Sequence, residues 1–432
     1  MSSLKPKKRV KHLKLNAGLA AKGACLGVLA SAGLAAQAQT DTNTMTSLEQ
    51  QNEALQSRIQ TLEDLAKREG LLPSGNAPYT NLVTAMSKIT ITGFVQGSYF
   101  YDTRRPVTGT IDDHLWNTKD NSFSLNKFKL TIAGAPVATD KWDATFRASL
   151  LFGQDATYLN TPDKVFGNTS FNDLREAYVE LNVPIGTGLD IKAGELISLL
   201  NWESGDGGAA NPNFSQGLQW WFTGNGPSAG IQATYNFTDK VNLTMRVDNG
   251  LFQGPVDDNA GKDFSGSLNF KPTANLWFNL VGWYESADAA PDATISGGEI
   301  IGGYQATTAL GTGWEVDYFH FDNDPGINDT WSVGGWIWYD FTDKIDVALR
   351  ADYVSQAEGN LLLGGAITTG LPVSTDNGGG LGSITLTLNY KPTPALKIQP
   401  EIQYDYTTYN GGLEPSGHKD RILVGCGVTY LF

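Results

Sequence analysis

The sequence predicts an all-β fold: a transmembrane antiparallel β-barrel of about 16 strands, preceded by a short N-terminal coiled-coil helix. Three observations carry the barrel. Segments of strand length alternate apolar and polar residues from Ile89 onward, a turn motif recurs between them, and aromatic residues gather at both strand ends. Successive side chains of a strand point to opposite faces, so an apolar face opposite a polar one suits a wall between lipid and water.

The faces can be read directly. Val241, Leu243, Met245 and Val247 alternate with Asn242, Thr244, Arg246 and Asp248. Ile345, Val347, Leu349, Ala351 and Tyr353 alternate with Asp346, Ala348, Arg350 and Asp352, and Ile384, Leu386 and Leu388 with Ser383, Thr385 and Thr387. The closing segment puts Ile422, Val424, Cys426, Val428, Tyr430 and Phe432 on one face, with Leu423 and Leu431 as apolar exceptions on the other. Phe237, Phe270, Phe341 and Tyr390 fall beside short turns; Tyr99, Tyr284, Tyr353 and Tyr404 fall beside long loops. Two aromatic girdles match interfacial anchoring. A soluble β-sandwich also alternates, but it has no use for girdles.

The turn motif fixes the count. Tyr235-Asn236-Phe237-Thr238-Asp239-Lys240 returns as Tyr339-Asp340-Phe341-Thr342-Asp343-Lys344, and Pro-containing versions lie at Asn269 to Ala274 and Asn389 to Pro394. Looser versions lie at Pro136 to Asp140, Pro184 to Gly188 and Ala309 to Gly313. Seven short turns, with one opening and one closing strand, make sixteen strands whose termini share one side. Glu299 to Thr308 is the strand that alternates least well.

The N-terminus reads as a cleaved secretory signal over 1–38. Lys5, Lys7, Lys8, Arg9, Lys11 and Lys14 form a basic region, Gly23 to Ala36 an apolar one, and Ala36-Gln37-Ala38 a cleavage site. Its removal takes 7 of 31 Lys and Arg and none of 45 Asp and Glu, leaving 24 − 45 = −21. That balance excludes nucleic acid as a partner, which needs a basic face. Cys426 is then the one cysteine left, so no intramolecular disulfide forms. Residues 39–69 form a helical arm with Met45, Asn52, Ile59 and Ala66 at heptad a positions and Leu48, Leu55 and Leu62 at d, a three-heptad seam for assembly. Residues 70–88 are a linker with Pro73 and Gly75, and 89–432 are the barrel.

The stretch from Leu174-Arg175-Glu176-Ala177-Tyr178-Val179-Glu180 through Pro184 to Gly194 resembles the outer-membrane porins of Gram-negative bacteria, most of all the OmpL-like β-barrel porin family. The resemblance continues at Asn213 to Gln216, Thr223 to Pro227 and Val247 to Gly250, and the Tyr430-Leu431-Phe432 end resembles the last strand of bacterial outer-membrane barrels. It implies a passive channel in the outer membrane, set in lipid and lipopolysaccharide and assembled as a homotrimer. The helical arm resembles periplasmic arms of some porins.

Within a barrel of this width the polar face lines water. Lys127, Lys129, Arg147, Glu176, Glu180, Arg246, Asp248, Arg350, Asp352 and Arg421 alternate with outward apolar neighbours and are expected to line the channel, where opposed charges set ion preference. Glu315 and Asp317 share that face. The third long loop, Asn201 to Gly226, carries Glu203, Asp206, Trp220 and Trp221. By resemblance to general porins, it narrows the barrel with Glu203 and Asp206 facing arginines such as Arg147 and Arg246.

No enzymatic activity, metal or cofactor is expected. His114, His320 and His418 lie far apart in sequence without metal-ligand spacing, and His320 is the one candidate for a lipid hydrolase. Two further readings stay open. Trp277, Trp283, Trp336 and Trp338 alternate toward the lumen and suit a sugar-selective porin. Alternatively the arm tethers the envelope, by binding peptidoglycan.

Overall fold

The computed structural model describes residues 57–58 and 89–432, apart from 107–108, 112–113, 115, 161–172, 225, 252–255, 257–259, 287–293, 323–328, 357–378, 409–412 and 414–416. The signal segment, the linker and, except for helical Ser57 and Arg58, the arm lie outside the described residues. Residues 90–432 form one compact unit.

That unit is a closed barrel of sixteen antiparallel strands, each paired with its neighbours in chain order. They are β1 (Thr90–Asp102), β2 (Ser122–Ala133), β3 (Asp143–Phe152), β4 (Leu174–Val183), β5 (Leu189–Leu196), β6 (Ser228–Thr238), β7 (Val241–Asp248) and β8 (Asp263–Thr273). The second half has β9 (Leu276–Ser286), β10 (Thr294–Gln305), β11 (Leu310–Asp322), β12 (Thr330–Thr342), β13 (Ile345–Gln356), β14 (Gly379–Thr393), β15 (Leu396–Thr407) and β16 (Asp420–Leu431). Closure is a physical requirement, because a sheet edge facing hydrocarbon leaves backbone N–H and C=O groups without partners. The seam pairs β1 with β16, from Phe94 opposite Leu431 to Asp102 opposite Leu423. Phe432 finishes it: its backbone exchanges hydrogen bonds of 2.8 and 2.9 Å with Gly93, and its ring stacks on Phe128.

Burial alternates as the sequence pattern demands. Ile422, Val424, Val428, Tyr430 and Phe432 point outward and are exposed, whereas Arg421, Leu423 and Thr429 point inward and are buried. The inward Leu423 is explained by Phe100, Ile111 and Phe214, with which it forms an apolar cluster inside the barrel. Loops that fold inward therefore carry their own small cores.

One boundary departs from expectation. The turn after β10 lies at Ala306 to Ala309, and Ala309 to Gly313 runs into β11 instead of forming the turn. The poor alternation of β10 has a cause: Gly297, Gly302 and Gly303 sit opposite Trp283, Trp314 and Trp277. A Cβ on Gly303 would lie 2.6 Å from the Trp277 Nε1. Glycine gives up its own side chain so that a neighbouring indole can lie flat on the strand, a pairing known as aromatic rescue.

The outward apolar band is testable. Leu386→Arg, at the middle of β14 on the exposed face, should destabilise the barrel by about 2–4 kcal/mol, as expected for a cation at the bilayer midplane. Urea titration of protein folded into vesicles measures it.

Candidate functional site

The loop between β5 and β6, residues 197–227, turns into the barrel. Its described residues include a 3-10 turn at Gly207–Ala209 and a five-residue helix, α1 (Leu218–Phe222). Asn201 enters at φ +76°, a left-handed conformation that asparagine tolerates better than most residues.

The loop is tied to the wall along its whole length, mostly to the strands from β10 round to β2. Arg246 of β7 donates to the Ile197 carbonyl at 2.9 Å. The Asn201 and Trp202 backbone N–H groups donate to Glu299 of β10 and Glu315 of β11, at 2.6 and 2.7 Å. Glu203 accepts from Trp336 Nε1 at 3.0 Å and from Arg350 at 3.1 Å, and its other oxygen takes the Gly217 N–H at 2.7 Å. Asp206 accepts from Lys129 at 2.9 Å through both oxygens. Lys397 donates to the Gly208 carbonyl, Asn213 to Thr387, and the Phe214 N–H to Glu401. Gln219 closes the circuit, its backbone N–H donating to Asp352 and its side chain to Asp317. The loop thus contacts β1, β2, β7 and β10 to β16, and Trp220 packs on the Leu151 and Leu159 cluster beside β3, so that the half-exposed inward residues are those on the short-turn halves of β3 to β6.

Arg350 is the centre of this network. Its side chain is fully buried, yet it donates to Glu203, to the Ser215 carbonyl at 2.6 Å, to Ser215 Oγ and to Thr385 Oγ1. A guanidinium has five donors in a planar fork, so one arginine can hold loop and wall together. The Arg350 Nε also lies 3.7 Å from Asp352. A buried charge needs such pairing, since an isolated one is very costly to keep out of water.

The expected residues separate into two groups. Lys127, Lys129, Arg246, Asp248, Arg350, Asp352 and Arg421 face inward but are buried beneath loops or in wall networks. Lys127 bonds Gln216 and lies 3.6 Å from Asp155, while Arg421 bonds Asp405, which His114 of the first loop also contacts. Asp155 lies outside the strands, and burial pushes its carboxyl up, against the pull of Lys127. Arg147 and Glu180 keep part of their surface open, as do Lys192 and Asp206; Glu176, beneath Arg147, is buried and bonds it at 2.7 Å. Glu203 and Asp206 do face basic residues, but these are Arg350 and Lys129. Arg147 instead pairs with Glu176, and Arg246 with Gln232 and the loop backbone. Both arginines have nearer acceptors on their own or the adjacent strand, which strand periodicity does not reveal.

The uncovered wall has residues the sequence reading passed over. Lys192 lies 5.0 Å over the Tyr178 ring and 3.6 Å from Glu180. With Arg147, Asp190, Gln232 and Thr234 they make a polar strip of intermediate exposure on β3 to β6. Opposite charges within this strip and on Asp206 produce a transverse field across whatever space it borders.

The tryptophans are less open than expected. Trp283 packs in an apolar cluster with Leu251 and Phe319, and Trp336 is stacked beneath Trp202 at 4.6 Å. His320 faces outward and bonds Asp329, which also accepts from Tyr318. Partial burial works against it, yet these bonds hold the Asp329 carboxyl below its usual range.

Comparisons with known proteins fit this geometry. The family model described as "Putative beta-barrel porin-2, OmpL-like" matches residues 88–432. Outer-membrane expressed OmpT of Vibrio cholerae is 12% identical, covers 80% of this chain and 97% of its own, and superposes with a TM-score of 0.50. In-vitro folded OmpT of Vibrio cholerae in its trimer form gives 12%, 80%, 99% and 0.50. The outer-membrane channel DcaP of Acinetobacter baumannii gives 12%, 80%, 97% and 0.49. No curated protein matches. At these identities the two OmpT structures speak for the fold alone.

Removing the arginine tests the network. Arg350→Met leaves Glu203 buried without its cation, and should cost about 3–5 kcal/mol. Adding Glu203→Gln to it should recover part of that loss, read from denaturant midpoints of the folded barrel.

Proposed function

The chain belongs to the OmpL-like family of beta-barrel porins, and on that premise we propose that its outer-membrane barrel is a passive, water-filled channel for small hydrophilic solutes and ions. The observation that carries the reading is the largely one-sided attachment of the third loop. It fastens the loop along β10 to β2 and leaves a strip of half-exposed ions on the short-turn halves of β3 to β6. Solutes would pass between that strip and the loop, at the level where Asp206 meets Lys129.

Arg147, Glu180 and Lys192 of the strip, together with the Lys129–Asp206 pair where the loop meets the wall, would make the narrowest region mixed in charge. Ions would be sorted by this short-range field more than by the acidic total of the chain, because loop charges beyond about a Debye length of 8–10 Å are screened. Nothing in the route requires catalysis, and the channel works by diffusion alone. The buried state of Trp283 and Trp336 favours a general channel over a sugar-stacking track.

A cleaved signal over 1–38 would deliver the chain to the outer membrane, where lipid and lipopolysaccharide meet the apolar band. We assign it a homotrimer, supported by the heptads of the arm; OmpT of Vibrio cholerae, of the same fold, is known in a trimer form.

Single-channel recording tests the reading. Deleting Asp206 to Gly217 should raise the unit conductance, and an unchanged conductance would remove this loop from the constriction. In a salt gradient, Lys129→Ala combined with Arg147→Ala should shift the reversal potential toward cation preference; no shift would place the limiting charges elsewhere.

A further inference from the structure

Glu299, Glu315 and Asp317 stand side by side on β10 and β11, and each offers a carboxylate oxygen within 4.8 Å of the others. They are 2%, 1% and 1% exposed. Among the described residues, the ion pairs of the barrel leave all three out: Arg350 goes to Glu203 and Asp352, Lys129 to Asp206, Lys127 to Asp155. Three buried carboxylates without a cation repel one another strongly.

Their hydrogen bonds show an orientation. The Asn201 N–H holds Glu299 Oε1, and Asn201 Nδ2 and the Trp202 N–H hold the two oxygens of Glu315. Gln219 and Ser332 hold Asp317 Oδ2. Glu299 Oε2 and Asp317 Oδ1 are buried and have no hydrogen-bond partner. Outer donors that fix a carboxylate while leaving an oxygen free are the usual second layer of a metal site.

We propose that Glu299, Glu315 and Asp317 bind a divalent cation of the calcium or magnesium class, which fastens the start of the third loop to the barrel wall. An all-oxygen donor set selects a hard cation over zinc or copper. Oxygens on opposite sides of a calcium ion lie about 4.6–5.2 Å apart, twice the bond length, so the observed spacing fits one ion. Asn201 and Trp202 bond the same carboxylates, so an ion there stiffens the loop where it leaves β5. Its effect on conduction rests on the constriction described above; binding itself does not.

Terbium luminescence tests the binding without recourse to current, because Trp202 touches Glu315 and can sensitise a bound Tb³⁺. The full-length folded protein, stripped with EDTA, should show one saturable Tb³⁺ site that Ca²⁺ displaces. Glu299→Gln and Glu315→Gln should each weaken it by about 10- to 100-fold, while Asp343→Asn, at an exposed turn, should not. A folded wild-type barrel that binds neither ion at about 1 mM, the weak end of protein calcium sites, overturns the proposal. So does binding that survives both substitutions in folded variants, which would put the ion on other acids.

Discussion

The buried pair of Arg350 and Glu203 is the contact on which the interior depends. A sixteen-stranded barrel is too wide to be filled by its own side chains, so what enters it decides how much water remains. Arg350 carries a charge that must be matched, and it is matched by a loop carboxylate, a loop carbonyl and a loop hydroxyl at once. The loop cannot leave without stranding the guanidinium. This fixes the loop against β13 and, through its neighbours, against most of the wall from β10 round to β2.

That asymmetry has a functional consequence. On the proposed reading, water and solutes have the β3 to β6 side, where Arg147, Tyr178, Glu180 and Lys192 retain exposed surface. The opposite side behaves as a solvent-excluded core, with apolar clusters around Trp116, Leu218 and Val354 and around Phe100, Phe214 and Leu423. A barrel of this kind has two cores of different character: the lipid outside serves as one, and the folded-in loops build the other.

The fold was legible because its signals are local. Period-two alternation, the repeated turn at Tyr235 to Lys240 and Tyr339 to Lys344, and the terminal Phe432 each depend on neighbours in sequence. Strand number, faces and girdles follow from them. The partners of Glu203 and Asp206 were not legible, since they depend on the path of a loop across the lumen. The same holds for the trio of Glu299, Glu315 and Asp317, separated by a turn yet adjacent across β10 and β11. Glycines in β10 blurred its pattern for a tertiary reason, the indoles that lie on them.

Whether the lumen is divided this way can be measured by thiol accessibility during conduction. In a Cys426→Ser background, Arg147→Cys and Thr385→Cys place one thiol on the uncovered strip and one beneath the loop. A charged, water-soluble methanethiosulfonate reagent should react quickly with the first and change the open current, and leave the second untouched. Equal reaction at both positions would mean that the loop does not seal the β10 to β2 side, and would contradict the divided lumen.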